Sequence, residues 1–439
     1  MIRKHHKVLA PRGTGPRAPQ ELPTPSLLIL HAQELVTLAG DPRPRRGKEM
    51  RDLRIIPDGA LYAADGVIRD VGESTALAAT HGDAGQVIDA TGKTVVPGFV
   101  DAHTHLVFAG SREHELEWKA QGMTYGEIAA RGGGILDTVA KTRAATEETL
   151  YQSARARLDA MVGHGTTTVE AKTGYGLTIP EEMKLLKVLE RLEESHPATV
   201  VPTFLGAHAI PPEYGGRADA YVDLLARELL PSVAAKTTAR FCDVFVQDGY
   251  FTGDQARRLL SEAERLGLSG KVHADEFSDG GGAALAAELG ATTADHLIYA
   301  SDDGIRKMAE RGTIAVLLPA SSLASRIPFA RARHFVEMGV PVGLGTDFSP
   351  NCWTESMSLV VSLAAHQLGL SPAEALTAAT INAAYAVGLG GEVGSLEVGK
   401  RADALVLNAP DHRHLAYRIG GRLVETVVKE GRVISNRAP

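Results

Sequence analysis

His103 and His105 follow the apolar run VVPGFVDA with a single threonine between them. If that run is a β-strand, residues two apart face the same side, so the two imidazoles stand together and can bind one ion. A lone histidine at a strand end is more often a hydrogen-bonded structural residue, and His208 or His296 taken singly would be read that way. A hydrolytic metal site needs about three protein ligands and a position left open for water. His273, in KVHADEF, and Asp347, in VPVGLGTDF, can complete such a set. An ion held there would lower the pKa of a bound water from about 15.7 towards about 7. Asp347 could both ligate the ion and take the remaining proton.

The elements that must position these side chains show in the apolar pattern. Between Val96 and Phe348 a β-branched or apolar run ends in polar residues and gives way to a helical stretch, eight times over: 96–105, 165–174, 200–208, 241–249, 271–277, 291–297, 313–320 and 340–348. Eight βα units predict an α/β fold, a (β/α)8 TIM-like barrel, whose active site lies at the C-terminal ends of its strands. Those ends collect His103, His105, His208, His273, Asp275, Glu276, Asp295, His296 and Asp347. Thr178 with Glu181, Thr252 with Gln255 and Ser371 with Glu374 read as capping boxes at the starts of intervening helices. Short strand-like runs with Gly and Asp turns precede and follow the barrel, and predict a small β-sandwich built from both ends of the chain. The expected division is a flexible extension over 1–24, the sandwich over 25–95 and 391–439, and the barrel over 96–390.

Bulk properties exclude several function classes. A formal net charge of −7 gives no basic footprint, so no nucleic-acid partner is expected. No run is apolar enough for a membrane span. Cys242 and Cys352, far apart in sequence, cannot form a disulfide framework, and a cytoplasmic address is expected. Cys352 is read as pocket wall, because no base is arranged to activate it. Gly132–Gly134 and Gly280–Gly282 lack the context of a phosphate-binding fingerprint and read as loops. His412 and His414 fall in the terminal sheet and read as surface residues.

PGFVDAHTH, HADEF, DHL and GTDF, in this order, resemble the amidohydrolase superfamily. The strings HTHLVFAGSRE, KTGYGL, FLGAH, HADEF and ATINAAYAVG narrow the resemblance to its imidazolonepropionase family, over residues from about 26 to 435. That resemblance implies hydrolysis of 4-imidazolone-5-propanoate to N-formimino-L-glutamate in histidine degradation, an anionic small-molecule substrate, zinc or iron as cofactor, and a homodimer. It implies His103, His105, His273 and Asp347 as metal ligands. Arg112, Tyr125, Tyr175, His208 and Glu276 match substrate contacts, and His296 matches a histidine that assists catalysis. Arg112 offers a planar fork for the propanoate, and His208 would help the ion stabilise the oxyanion while Glu276 meets the ring nitrogens. In two-metal relatives the bridging lysine comes from the fourth strand, whereas Lys172 ends the second, so one metal is expected.

The chain departs from the family pattern after the eighth strand. Where the family has Asp-Phe-Asn-Pro-Gly and a small hydroxyl residue, this chain reads Asp347-Phe348-Ser349-Pro350-Asn351-Cys352. Ser349, Asn351 and Cys352 are carried as substrate contacts, with Asn351 expected in the left-handed backbone that glycine would adopt. A mononuclear deaminase acting on a related ring shares the ligand pattern and stays open as an alternative. A catalytically inert scaffold would have lost ligands, and none is missing.

Overall fold

The computed structural model describes residues 26–436; the expected extension over 1–24 lies outside the described residues. Eight parallel strands, Phe99–Asp101, Thr166–Lys172, Thr199–Ala207, Phe241–Val246, Ser269–Ala274, Thr293–His296, Ile314–Leu317 and Val342–Leu344, pair in sequence order. We number them as the first to eighth barrel strands. The ring closes at the rim, where the Asp347 amide donates to the His103 carbonyl at 3.0 Å and the His105 amide to the Phe348 carbonyl at 2.8 Å. All eight predicted runs therefore supply barrel strands. Their near-continuous burial is what strands covered by helices on the outside require.

The helices follow the predicted starts with one difference. Thr252 and Gln255 form a reciprocal capping box before helix Gly253–Arg265, which buries Ala256, Leu259, Leu260 and Ala263 along one face. Ser371 and Glu374 do the same for Pro372–Ala378. Thr178 does precede helix Ile179–Ser195, but its side chain caps nothing. The neighbouring Glu182 is used instead: its carboxylate accepts the amides of Gly174, Gly176 and Leu177 at 3.2, 2.8 and 2.8 Å, folding the loop that carries Tyr175 against the barrel mouth.

Both ends of the chain join one further eight-stranded sheet. Strand Thr94–Pro97, from the N-terminal part, lies antiparallel to Ala404–Leu407, with Val96 opposite Leu405. The predicted run 96–105 is thus divided. Val96 and Pro97 belong to this sheet, and the barrel starts at Phe99. Gly98 makes the junction, where a Cβ would lie 2.2 Å from the Thr167 hydroxyl.

Candidate functional site

Three imidazoles and one carboxylate converge at the C-terminal mouth of the barrel. His103 Nε2 lies 3.5 Å, and His105 Nε2 3.6 Å, from Asp347 Oδ1, and His105 Nε2 lies 3.5 Å from His273 Nε2. An ion bound at about 2.1 Å holds tetrahedral ligands about 3.4 Å apart, so these separations suit a single cation. The ligand atoms of His103, His105 and Asp347 lie within 4.8 Å of one another, as do those of His103, His273 and His296. His103 Nε2 is fully buried with no hydrogen-bond partner, which is costly unless something fills the gap.

The other face of two rings is held by acids. His103 Nδ1 is 2.6 Å from Asp295 Oδ2, and His273 Nδ1 is 3.0 Å from Asp243 Oδ2. The hydrogen bond at His103 fixes its proton on Nδ1 and leaves Nε2 as a lone pair aimed at the shared point, and the Asp243 carboxylate lies at ion-pair distance from the His273 ring. Burial, reinforced by neighbouring charge, keeps His103, His105 and His296 well below the usual histidine range, so they are neutral, as ligation requires. Burial raises the Asp347 carboxyl to about 6 against the pull of a Ser321 hydrogen bond and the His273 ring. The backbone at Asp347, His296 and Asp275 is left-handed, with φ of 52°, 72° and 53°, a conformation that Asp and His tolerate better than most residues.

The pocket in front of this cluster is lined by Arg112, Tyr125, Tyr175, His208 and Glu276, and its rim by Ser349 and Asn351. Arg112 is buried with Nε and Nη1 unpartnered; the nearest carboxylate, Glu115, is 3.9 Å away. Burial pushes Glu276 well above the usual carboxylate range, with the Asp347 charge adding to it, and Glu276 Oε1 sits 3.5 Å from His296 Nδ1. His208 Nδ1 lies 3.0 Å from the Gly174 carbonyl, which can only accept, so the proton sits on Nδ1. Burial lowers its pKa to about 3, and its neutral Nε2 is a bare acceptor. The expected donation from His208 to an oxyanion has no proton to give.

Two expectations at the rim are also revised. Asn351 is not left-handed; its side chain instead accepts from Lys119 Nζ at 2.7 Å and donates to Ser325 Oγ at 2.9 Å. Cys352 does not line the pocket. It is buried behind the rim, with Sγ 3.5 Å from the Thr346 carbonyl and 3.3 Å from the Thr354 hydroxyl, and burial raises the thiol to about 12. The Gly280–Gly282 loop binds an internal anion: the amides of Gly280, Gly282 and Ala283 donate to Asp275 at 3.0, 2.9 and 2.9 Å. His412 and His414 lie in no strand of the terminal sheet but at the start of the short helix Arg413–Tyr417, where His412 is largely shielded and pairs with Glu34 at 2.9 Å. Sequence reasoning missed Ile135, Phe245 and Phe277, which line the pocket. Phe245 was readable, since it stands two residues beyond Asp243 on the same inward face.

The amidohydrolase family pattern matches residues 94–434. The imidazolonepropionase of Symbiobacterium thermophilum is 53% identical over 413 residues, covering 93% of this chain and 97% of that protein. That of Geobacillus kaustophilus is 49% identical over 415 residues, covering 93% and 98%. The chain belongs to the imidazolonepropionase family of amidohydrolases. Among solved structures, the guanine deaminase of E. coli superposes with a TM-score of 0.69 at 17% identity, covering 94% of this chain and 99% of that one. A zinc-bound adenosine deaminase from Xanthomonas campestris gives 0.66 at 21%, covering 94% and 93%. At such identities the amidohydrolase barrel is what is shared. No helix among the described residues is long and apolar enough to cross a membrane.

Proposed function

We propose that the chain hydrolyses the ring C–N bond of 4-imidazolone-5-propanoate, yielding N-formimino-L-glutamate in L-histidine degradation. The observation that carries this reading is the Arg112 guanidinium, buried with two nitrogens unpartnered in the same pocket as the imidazole cluster. The Tyr125 hydroxyl partners only part of this buried cation, so its two open nitrogens favour the arrival of an anion, and a propanoate tail is such an anion. The name shared by the relatives supplies the ring that carries it.

We assign His103, His105, His273 and Asp347 as ligands of one ion, zinc or iron, which when bound would supply a water of lowered pKa and polarise the ring carbonyl. Arg112 pairs with the propanoate, and the Tyr125 and Tyr175 hydroxyls add hydrogen bonds to it. His208 accepts a ring N–H at Nε2, and Glu276 meets the other ring nitrogen with His296 behind its carboxyl. Asp347 takes the proton of the attacking water and returns it to the leaving ring nitrogen. Ser349 and Asn351 close the rim. A homodimer and a cytoplasmic address belong to the same reading and rest on the family resemblance.

The test is turnover of freshly made 4-imidazolone-5-propanoate, with metal content measured on the same sample. One metal per chain and turnover abolished by a chelator are expected. Equal turnover of an imidazolone lacking the propanoate, or of a neutral nucleobase, would overturn the substrate assignment.

A further inference from the structure

A cluster of buried charge lies beneath the imidazoles, and no step above uses it. The second barrel strand contributes Glu170 and Lys172, the fourth Asp243, the fifth Lys271 and the sixth Asp295, all with fully shielded side chains. Lys172 Nζ lies 2.7 Å from Asp243 Oδ2, 2.9 Å from Glu170 Oε2 and 3.3 Å from Asp295 Oδ2. Two of these oxygens have a second partner. Asp295 Oδ2 is the atom 2.6 Å from His103 Nδ1, and Asp243 Oδ2 is the atom 3.0 Å from His273 Nδ1. One ammonium therefore sits on both carboxylate oxygens that hold two of the three converging imidazoles.

Stability alone does not call for this arrangement. Barrel interiors are ordinarily filled by branched apolar side chains, and replacing a buried ion cluster with such residues is often neutral or stabilising. Orientation does call for it. A carboxylate that swings about its own torsions cannot hold a ring in one direction, whereas one clamped from below can. Lys172 also occupies the space between His103, Glu170 and Asp295, a trio otherwise spaced to take a cation.

We propose that Lys172 is a positioning residue for metal binding: by clamping Asp243 and Asp295 together it sets the directions of His273 and His103 at once. This rests on the single-ion reading above. Lys271 provides the internal control, since its ammonium pairs with Glu170 Oε1 at 2.9 Å and lies over the Phe241 ring, with neither histidine-bearing carboxylate in its ion pairs.

The experiment compares Lys172→Met and Lys271→Met in the full chain, with zinc as the probe in chelator competition and Co2+ as a spectroscopic substitute. Lys172→Met should raise the zinc Kd about 10–100-fold, the range for lost partners of metal-bound histidines, and shift the visible Co2+ bands. Lys271→Met should lose thermal stability and keep the wild-type Kd and spectrum. Wild-type affinity and spectrum in Lys172→Met, or an equal loss in both variants, would overturn the proposal. If Lys172→Met does not fold, Lys172→Arg is read the same way, because a guanidinium keeps the charge but not the spacing of the clamp. A wild-type chain that takes up no zinc or cobalt would instead overturn the single-ion reading, with no variant needed.

Discussion

Replacing Arg112 with methionine separates function from stability in a way few pocket variants do. The guanidinium is 4% exposed, two of its nitrogens have no partner, and Glu115 at 3.9 Å is too far for a hydrogen bond. In the free protein the Tyr125 hydrogen bond and the Glu115 charge offset the burial of this cation, and its removal frees the protein of that desolvation as well, so Arg112→Met should melt close to the wild-type temperature. With substrate bound, two charge-assisted hydrogen bonds to the propanoate are lost. At about 1.5–2 kcal/mol each they amount to about 3–4 kcal/mol, a fall of about 10² to 10³ in kcat/KM. Arg112→Lys should recover only part of this, because a point charge does not reproduce the planar fork. The assay is steady-state hydrolysis of 4-imidazolone-5-propanoate beside thermal melting of the substrate-free protein. A variant that melts several degrees lower while keeping its kcat/KM would refute the reasoning and make Arg112 a structural residue.

Two further predictions concern residues that do not line the pocket, one packed behind His103 and one at the start of helix Pro372–Ala378. A Cβ at Gly345 would stand 2.9 Å from the His103 amide nitrogen and 3.0 Å from His103 Cβ, so Gly345→Ala should displace that ring and lower both metal retention and turnover; both are measured on one purified sample. Burial pushes the Glu374 carboxyl up, but hydrogen bonds from Arg333, the Ser371 amide and Arg51 outweigh this and hold it at about 2, against 4.5 unperturbed. A depressed folded-state pKa stabilises fully above the unfolded value and loses its effect as pH falls through the folded one, so the window runs from about pH 4.5 down to about 2. Discounted for the partial exposure of Arg51 and Arg333, the contribution at neutral pH is about 2 kcal/mol. Denaturant titrations should show Glu374→Gln weaker than wild type by that amount at pH 7, with the gap closing across that window.

The barrel was legible because its strands are buried on both faces and read as apolar runs bounded by turn residues, and its chemistry was legible because the converging side chains stand at the ends of those runs. The support beneath them was harder to see. Glu170, Lys172, Asp243 and Lys271 interrupt apolar runs as isolated charges, and their partners come from strands distant in sequence. Only the period-two alternation, which puts Lys271 with His273 and Glu170 with Lys172 on one face, carries a trace of the arrangement. The place of Lys172 at the end of the second strand argues against a bridging ligand but carries no hint of the clamp. The segment from Arg112 to Tyr125 has weak periodicity, so its place over the pocket came from resemblance rather than pattern. At His208 the sequence supplies an imidazole but not its tautomer, which depends on a carbonyl 34 residues earlier.

The sheet shared by the two ends of the chain has a consequence for synthesis. Strand Thr94–Pro97 meets Ala404–Leu407 only after roughly 300 more residues have been made, which at roughly 5–20 residues per second takes roughly 15–60 s. Throughout that interval the emerging chain presents an unpaired, apolar ribbon edge to its surroundings. The eighth barrel strand, Val342–Leu344, is made about 60 residues before Ala404, so only the last roughly 3–12 s of that interval are left for the barrel to close before its neighbour does.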